Sequence, residues 1–76
     1  MIKDSFELLT ADVRDASDAP RGPTIYYRCR LCSGVIPSQP KDSVECECGN
    51  IFIDVDYIRL DVRDFNAFEV VQKKNN

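Results

Sequence analysis

The sequence predicts a small, metal-stapled, mainly β domain. Three observations predict it. The chain has 76 residues, and a domain of that size buries only about 60% of the surface its unfolded chain exposes. Its core is thin, so a staple is expected. All four cysteines, Cys29, Cys32, Cys46 and Cys48, fall in one stretch, "YRCRLCSGVIPSQPKDSVECECGN", and histidine is absent from the chain. Around them lie short runs of β-branched and aromatic residues, bounded by Pro, Gly, Asp and Ser. An apolar fraction of 43% and a charged fraction of 30% suit a globular domain.

Residues 1–24 form an N-terminal segment and linker. Phe6, Leu9, Val13 and Ala16 fall at helical spacing, and Asp4 followed by Glu7 fits a capping box. The same stretch also reads as a strand, with Glu7, Leu9, Ala11 and Val13 on one face. The prediction is a short helix, with an extended segment as the alternative. "SDAPRGPT" (17–24) is a loop, because two prolines and a glycine within five residues prevent regular pairing.

Residues 25–76 form the β domain. "TIYYRC" (24–29) is a strand by composition. "SGVIPSQPKDS" (33–43) supplies a turn, a short extended piece and a Pro-interrupted loop. "SVECECGN" leads into the second cysteine pair, and "IFIDV" (51–55) is a strand ending in a bend at 54–56. "YIRLDVR" (57–63) alternates cleanly, with Ile58, Leu60 and Val62 on one face and Arg59, Asp61 and Arg63 on the other. "DFNAF" turns the chain, with a terminal helix from Asp64 as the weaker reading. "FEVVQ" (68–72) closes the fold and "KKNN" is a solvated tail. "DVRD" occurs at 12–15 and 61–64, but four matching residues of common types do not make a repeat.

The cysteines are spaced Cys-x2-Cys, thirteen residues, Cys-x-Cys-Gly. A close pair lets two sulfurs from one turn reach the same ion at about 2.3 Å, and two such turns complete a tetrahedron. Gly49 can adopt positive φ, which turns backbone N–H groups toward sulfur and spreads thiolate charge. Arg28 and Arg30 flank Cys29 and offset that charge, whereas Glu45 and Glu47 flank Cys46 and oppose it. One structural zinc ion held by Cys29, Cys32, Cys46 and Cys48 is the expected cofactor. Mononuclear iron, a redox pair at Cys29 and Cys32, and disulfides are the competing readings. A closed all-thiolate site has no open position for water.

No catalytic constellation accompanies the cysteines, so the chain is expected not to be an enzyme. It has no histidine to work near neutral pH and no phosphate-cradling glycine motif. Asp54, Asp56, Asp61 and Asp64 read as solvated strand and turn residues. No stretch approaches the roughly 20 apolar residues of a membrane helix. The acidic N-terminus is unlike a secretory leader, so the chain is expected in the cytoplasm, where thiols stay reduced. Net charge is −3, poorly suited to generic nucleic-acid binding and well suited to a basic protein surface. Tyr26, Tyr27, Arg28, Arg30 and Arg59 are the residues on which nucleic-acid binding would rest.

From Cys29 to Arg59 the chain resembles a family of small bacterial and phage zinc-ribbon-like proteins. Their pattern runs Cys-x2-Cys, Ile-x-Ser, Cys-x-Cys-Gly, Asp, Tyr-x-Arg. Here it is met by Cys29, Cys32, Ile36, Ser38, Cys46, Cys48, Gly49, Asp54, Tyr57 and Arg59. Val55 and Asp56 stand where the family has Gly-Gly. The resemblance implies a zinc-ribbon-like antiparallel sheet and says little of activity. The expected function is a non-enzymatic, zinc-binding interaction module with a basic protein partner, in the manner of an inhibitor or immunity protein. The second reading is a nucleic-acid-binding zinc ribbon of transcription or a related process.

Overall fold

The structure, a computed structural model, describes residues 5–57 and 59–74. They form seven strands: β1 (Ser5–Thr10), β2 (Ile25–Cys29), β3 (Val35–Pro37), β4 (Val44–Glu45), β5 (Ile51–Asp54), β6 (Arg59–Val62) and β7 (Phe68–Lys74). The first sheet runs β1-β7-β2-β3 and the second β4-β5-β6, with every pairing antiparallel. The only helical pieces among the described residues are single 3₁₀ turns at Ala16–Asp18 and Phe65–Ala67. The expected small, mainly β fold around the cysteines is what the chain adopts.

The helix expected near the N-terminus is instead strand β1. It pairs with β7 in a register that sets Phe6 opposite Lys73 and Leu8 opposite Val71, and that shifts between Leu8 and Thr10. Helical spacing of a few apolar residues was a weak signal, because Leu8 and Leu9 are both exposed on this edge strand and no single buried stripe dictates a period. Pairing with β7 decides the conformation. Asp4, the start of the expected capping box, lies outside the described residues, as does Ile58 in the alternating run. Lys73 and Lys74, expected in a solvated tail, continue β7.

The two sheets share one core. Tyr27 and Cys29 of β2, Ile36 of β3 and Phe68 and Val70 of β7 cluster with Ile51, Ile53 and Leu60 of the second sheet. The alternation of β2 explains its share: Tyr27 and Cys29 point inward, while Tyr26 and Arg28 point outward. The Tyr27 and Phe68 rings lie 5.1 Å apart and Phe65 and Phe68 5.6 Å apart. Fully burying side chains of this size contributes about 1.5–3 kcal/mol each. Pro37 sits on edge strand β3, where its missing N–H leaves no ladder bond unmade.

The 11–24 loop is pinned along its length. Val13 is buried in the shared core. Tyr27 Oη donates to the Pro20 carbonyl at 2.7 Å, and the buried Ser38 hydroxyl accepts from Gly22 N–H and donates to Gly22 C=O. Both copies of "DVRD" end on the same local device. Asp15 accepts from Ser17 N–H and Asp64 from Asn66 N–H, each capping one 3₁₀ turn. The β5–β6 turn forms at Val55 and Asp56 without glycine: Asp54 Oδ1 accepts from Asp56 N–H, and Ser43 Oγ accepts from Val55 N–H. Neither turn residue has positive φ.

Candidate metal centre

The four cysteines come from two turns. Cys29 ends β2 and Cys32 follows in the β2–β3 turn, while Cys46 and Cys48 lie between β4 and β5. Their sulfurs all lie within 4.8 Å of one another. Cys29 Sγ is 3.5 Å from Cys48 Sγ, which is 3.8 Å from Cys46 Sγ. Metal–sulfur bonds of about 2.3 Å in a tetrahedron set sulfur–sulfur edges near 3.8 Å. The thiols are free and their arrangement fits one tetrahedral ion. Every cysteine singled out by its spacing is brought into this cluster, and no other group of three or more candidate ligands occurs among the described residues.

Each turn is shaped by a left-handed residue directly after its second cysteine. Ser33 has φ 62° and Gly49 φ 78°. The left-handed step brings the N–H two residues past the cysteine onto its sulfur: Gly34 N–H to Cys32 and Asn50 N–H to Cys48. The Cys48 N–H also reaches Cys32 sulfur, and Ile51 N–H donates to Cys46 Sγ at 3.3 Å. The role expected of Gly49 is therefore met, and Ser33 plays the same part in the other turn. Gly34 lies between the two arms. A Cβ there would stand 3.2 Å from Cys32 Sγ and 3.4 Å from Cys46 Cβ.

Asn50 is the member of the site that spacing alone did not reveal. It is buried. Its Oδ1 accepts from Asp64 N–H at 2.8 Å, and its Nδ2 donates to Asp64 C=O at 3.2 Å and approaches Cys29 Sγ at 3.7 Å. One amide thus ties the thiol cluster to the turn between β6 and β7. An amide side chain just before the apolar run of β5 was the only available signal.

Two of the four thiols, Cys32 and Cys48, are pushed in opposite directions. Backbone N–H groups of Cys48, then Gly34, hold the Cys32 thiol down at about 6, against partial desolvation. For Cys48 the Asn50 N–H pulls downward. Desolvation and the crowding of Cys29, Cys32 and Cys46 outweigh it and push the thiol up to about 12. Cys32 therefore gives up its proton more readily than Cys48, whose thiolate would sit against the neighbouring sulfurs. A divalent ion held by Cys29, Cys32, Cys46 and Cys48 would offset that repulsion. Cys29 and Cys46 are buried, Cys32 is half-buried and Cys48 is exposed.

The remaining residues singled out in the sequence are dispersed. Tyr27 is fully buried and Tyr26 half-buried. Arg28 Nε is 2.7 Å from Glu69, and Arg30 lies 3.9 Å from the same carboxylate. Arg59 is on the other sheet. These five do not form one exposed aromatic and basic face. Asp54 and Asp64 each accept from a nearby backbone N–H in a turn. No helix among the described residues is long and apolar enough to cross a membrane. Comparison with protein-family models, curated proteins and solved structures returned no match.

Proposed function

We propose that this chain is a non-enzymatic protein-binding module held in shape by one structural zinc ion at Cys29, Cys32, Cys46 and Cys48. The observation that carries this reading is the closed cluster of four sulfurs joining the β2–β3 turn to the β4–β5 turn. All-thiolate tetrahedral sites of this kind favour zinc and serve structure. With four protein ligands the ion keeps no position for water or substrate, so its contribution is to folding. The likeness of residues 29–59 to small bacterial and phage zinc-ribbon-like proteins supports the same view.

The surface then does the work. Net charge is −3, and four thiolates around a divalent ion bring it to about −5. Such a chain suits a basic protein partner, in the manner of an inhibitor or immunity protein. Two measurements test the reading. Elemental analysis of natively purified, colourless protein should give one zinc per chain. Association with a basic protein should slow as salt rises. A metal-free or iron-coloured preparation removes the first half, and salt-insensitive association removes the second.

A further inference from the structure

Charge is divided between the two sheets. Residues 41–64, which hold β4, β5 and β6, carry seven Asp or Glu and three Lys or Arg. Residues 5–10, 21–37 and 65–74, which hold β1, β2, β3 and β7, carry two acids and five bases. The acidic sheet also holds half of the thiolate cluster.

The outward face of that sheet has a defined centre. Val44, Ile53 and Leu60 form the row that points into the core. The next row, of opposite parity, sets Glu45 opposite Phe52 and Phe52 opposite Asp61. Glu45 and Asp61 are exposed and Phe52 is half-buried. Directly opposed residues in such a row stand about 4.5–5.5 Å apart at Cβ, so Phe52 is flanked in register by two acidic residues, with the Glu45 carboxylate reaching toward Gly49. In the adjoining row Asp54 faces Arg59. At the β5–β6 turn, Tyr57 is 79% exposed, the most exposed large apolar residue among those described.

We propose that this face, centred on Phe52 between Glu45 and Asp61, is where the basic partner docks, through a segment bearing arginine or lysine. The proposal rests on the protein-binding reading above. An aromatic face attracts a cation placed within about 6 Å of it, and flanking carboxylates accept its N–H groups in charge-assisted hydrogen bonds. An apolar centre with a charged rim is the usual build of a docking surface. Phosphate-rich ligands are repelled by the same carboxylates. A second copy is a poorer occupant, because Arg28 and Arg30 on the basic sheet already share Glu69.

The test uses the zinc-loaded chain and a nine-residue arginine peptide at about 0.1 M salt. Exposed charge pairs are individually weak, so E45Q/D61N should weaken binding about three- to tenfold. F52L, which keeps apolar bulk but loses the ring, should weaken it about two- to fivefold. The control D12N/D15N/D18N removes more charge from a different region and should change binding less than twofold. No binding by the wild-type chain overturns the basic-partner reading itself. Binding that falls no more in E45Q/D61N than in the control overturns this face alone. Wild-type self-association at low salt that E45Q/D61N abolishes would make the occupant another copy and overturn the partner assignment.

Discussion

Replacing Asn50 by alanine tests whether the thiol cluster and the β6–β7 turn are one unit. The substitution removes two hydrogen bonds to the Asp64 backbone and the amide approach to Cys29 sulfur. Each ordinary hydrogen bond contributes about 1 kcal/mol net, and an unpaired buried group costs more. Asp64 is exposed, so water can replace part of what is lost. The sum is about 2–3 kcal/mol. In a domain this small each kcal/mol moves the melting temperature by about 4–8 °C, so the zinc-loaded variant should melt about 10–20 °C below wild type. Loss of a group supporting a metal ligand typically lowers affinity about 10–100-fold, which competition with a chromophoric chelator would read. Asn50→Asp should hold metal less well than Asn50→Ala, because its carboxylate would face the Cys29 thiolate. A variant N50A that melts within about 3 °C of wild type with unchanged metal affinity would refute the reasoning.

Cys46→Ser, or chelation of the wild-type metal, should unfold much of residues 25–63, since metal binding on the order of 10 kcal/mol is coupled to folding in such modules; amide hydrogen exchange would show whether those residues keep their protection. Gly34→Ala should force the two cysteine turns apart, because its Cβ would stand 3.2 Å from Cys32 Sγ, and chelator competition should show weaker metal binding. The left-handed positions predict effects of opposite sign: Gly49→Ala should lose about 1–2 kcal/mol in denaturant melts, and Ser33→Gly should lose nothing or gain up to about 1 kcal/mol. Tyr27→Phe should be about 1 kcal/mol less stable at pH 7, having lost the bond to Pro20. Burial raises the Tyr27 pKa above 10, with Arg21 opposing. The stability linked to its protonated form is therefore complete below about pH 10 and lost as pH climbs through the raised value. Urea melts from pH 7 to 11 should show the gap between wild type and Tyr27→Phe closing at the alkaline end.

The cysteine cluster was legible because metal chemistry constrains spacing so tightly. Cys29, Cys32, Cys46 and Cys48 needed only two turns and an intervening loop. β2, β5 and β6 were legible because burial on one side imposes alternation; the inward parity shared by Tyr27 and Cys29 also decides which of two adjacent tyrosines is core. β1 was not legible in the same way. With Leu8 and Leu9 both exposed, its local pattern carries no period, and its partner β7 is far away in the chain. Ser33 and Asn50 were hidden for a different reason. Their roles depend on a backbone angle and on a contact with Asp64, neither of which leaves a mark on composition or periodicity. "DVRD" did carry meaning, but of a local kind: both copies end on an aspartate that caps a turn.

β7 lies between β1 and β2, so the central ladder of the larger sheet waits for a strand that begins 39 residues after β2 ends. Until then a nascent chain leaving the ribosome has no neighbour for β1, and β2 has only β3. The thiol cluster faces no such delay. Closing it spans 19 residues, whereas joining Ser5 to Lys74 spans 69, and that difference alone adds about 1 kcal/mol of loop entropy. The proposed ion would thus be captured first, giving an early anchor on which the C-terminal strand then completes the larger sheet.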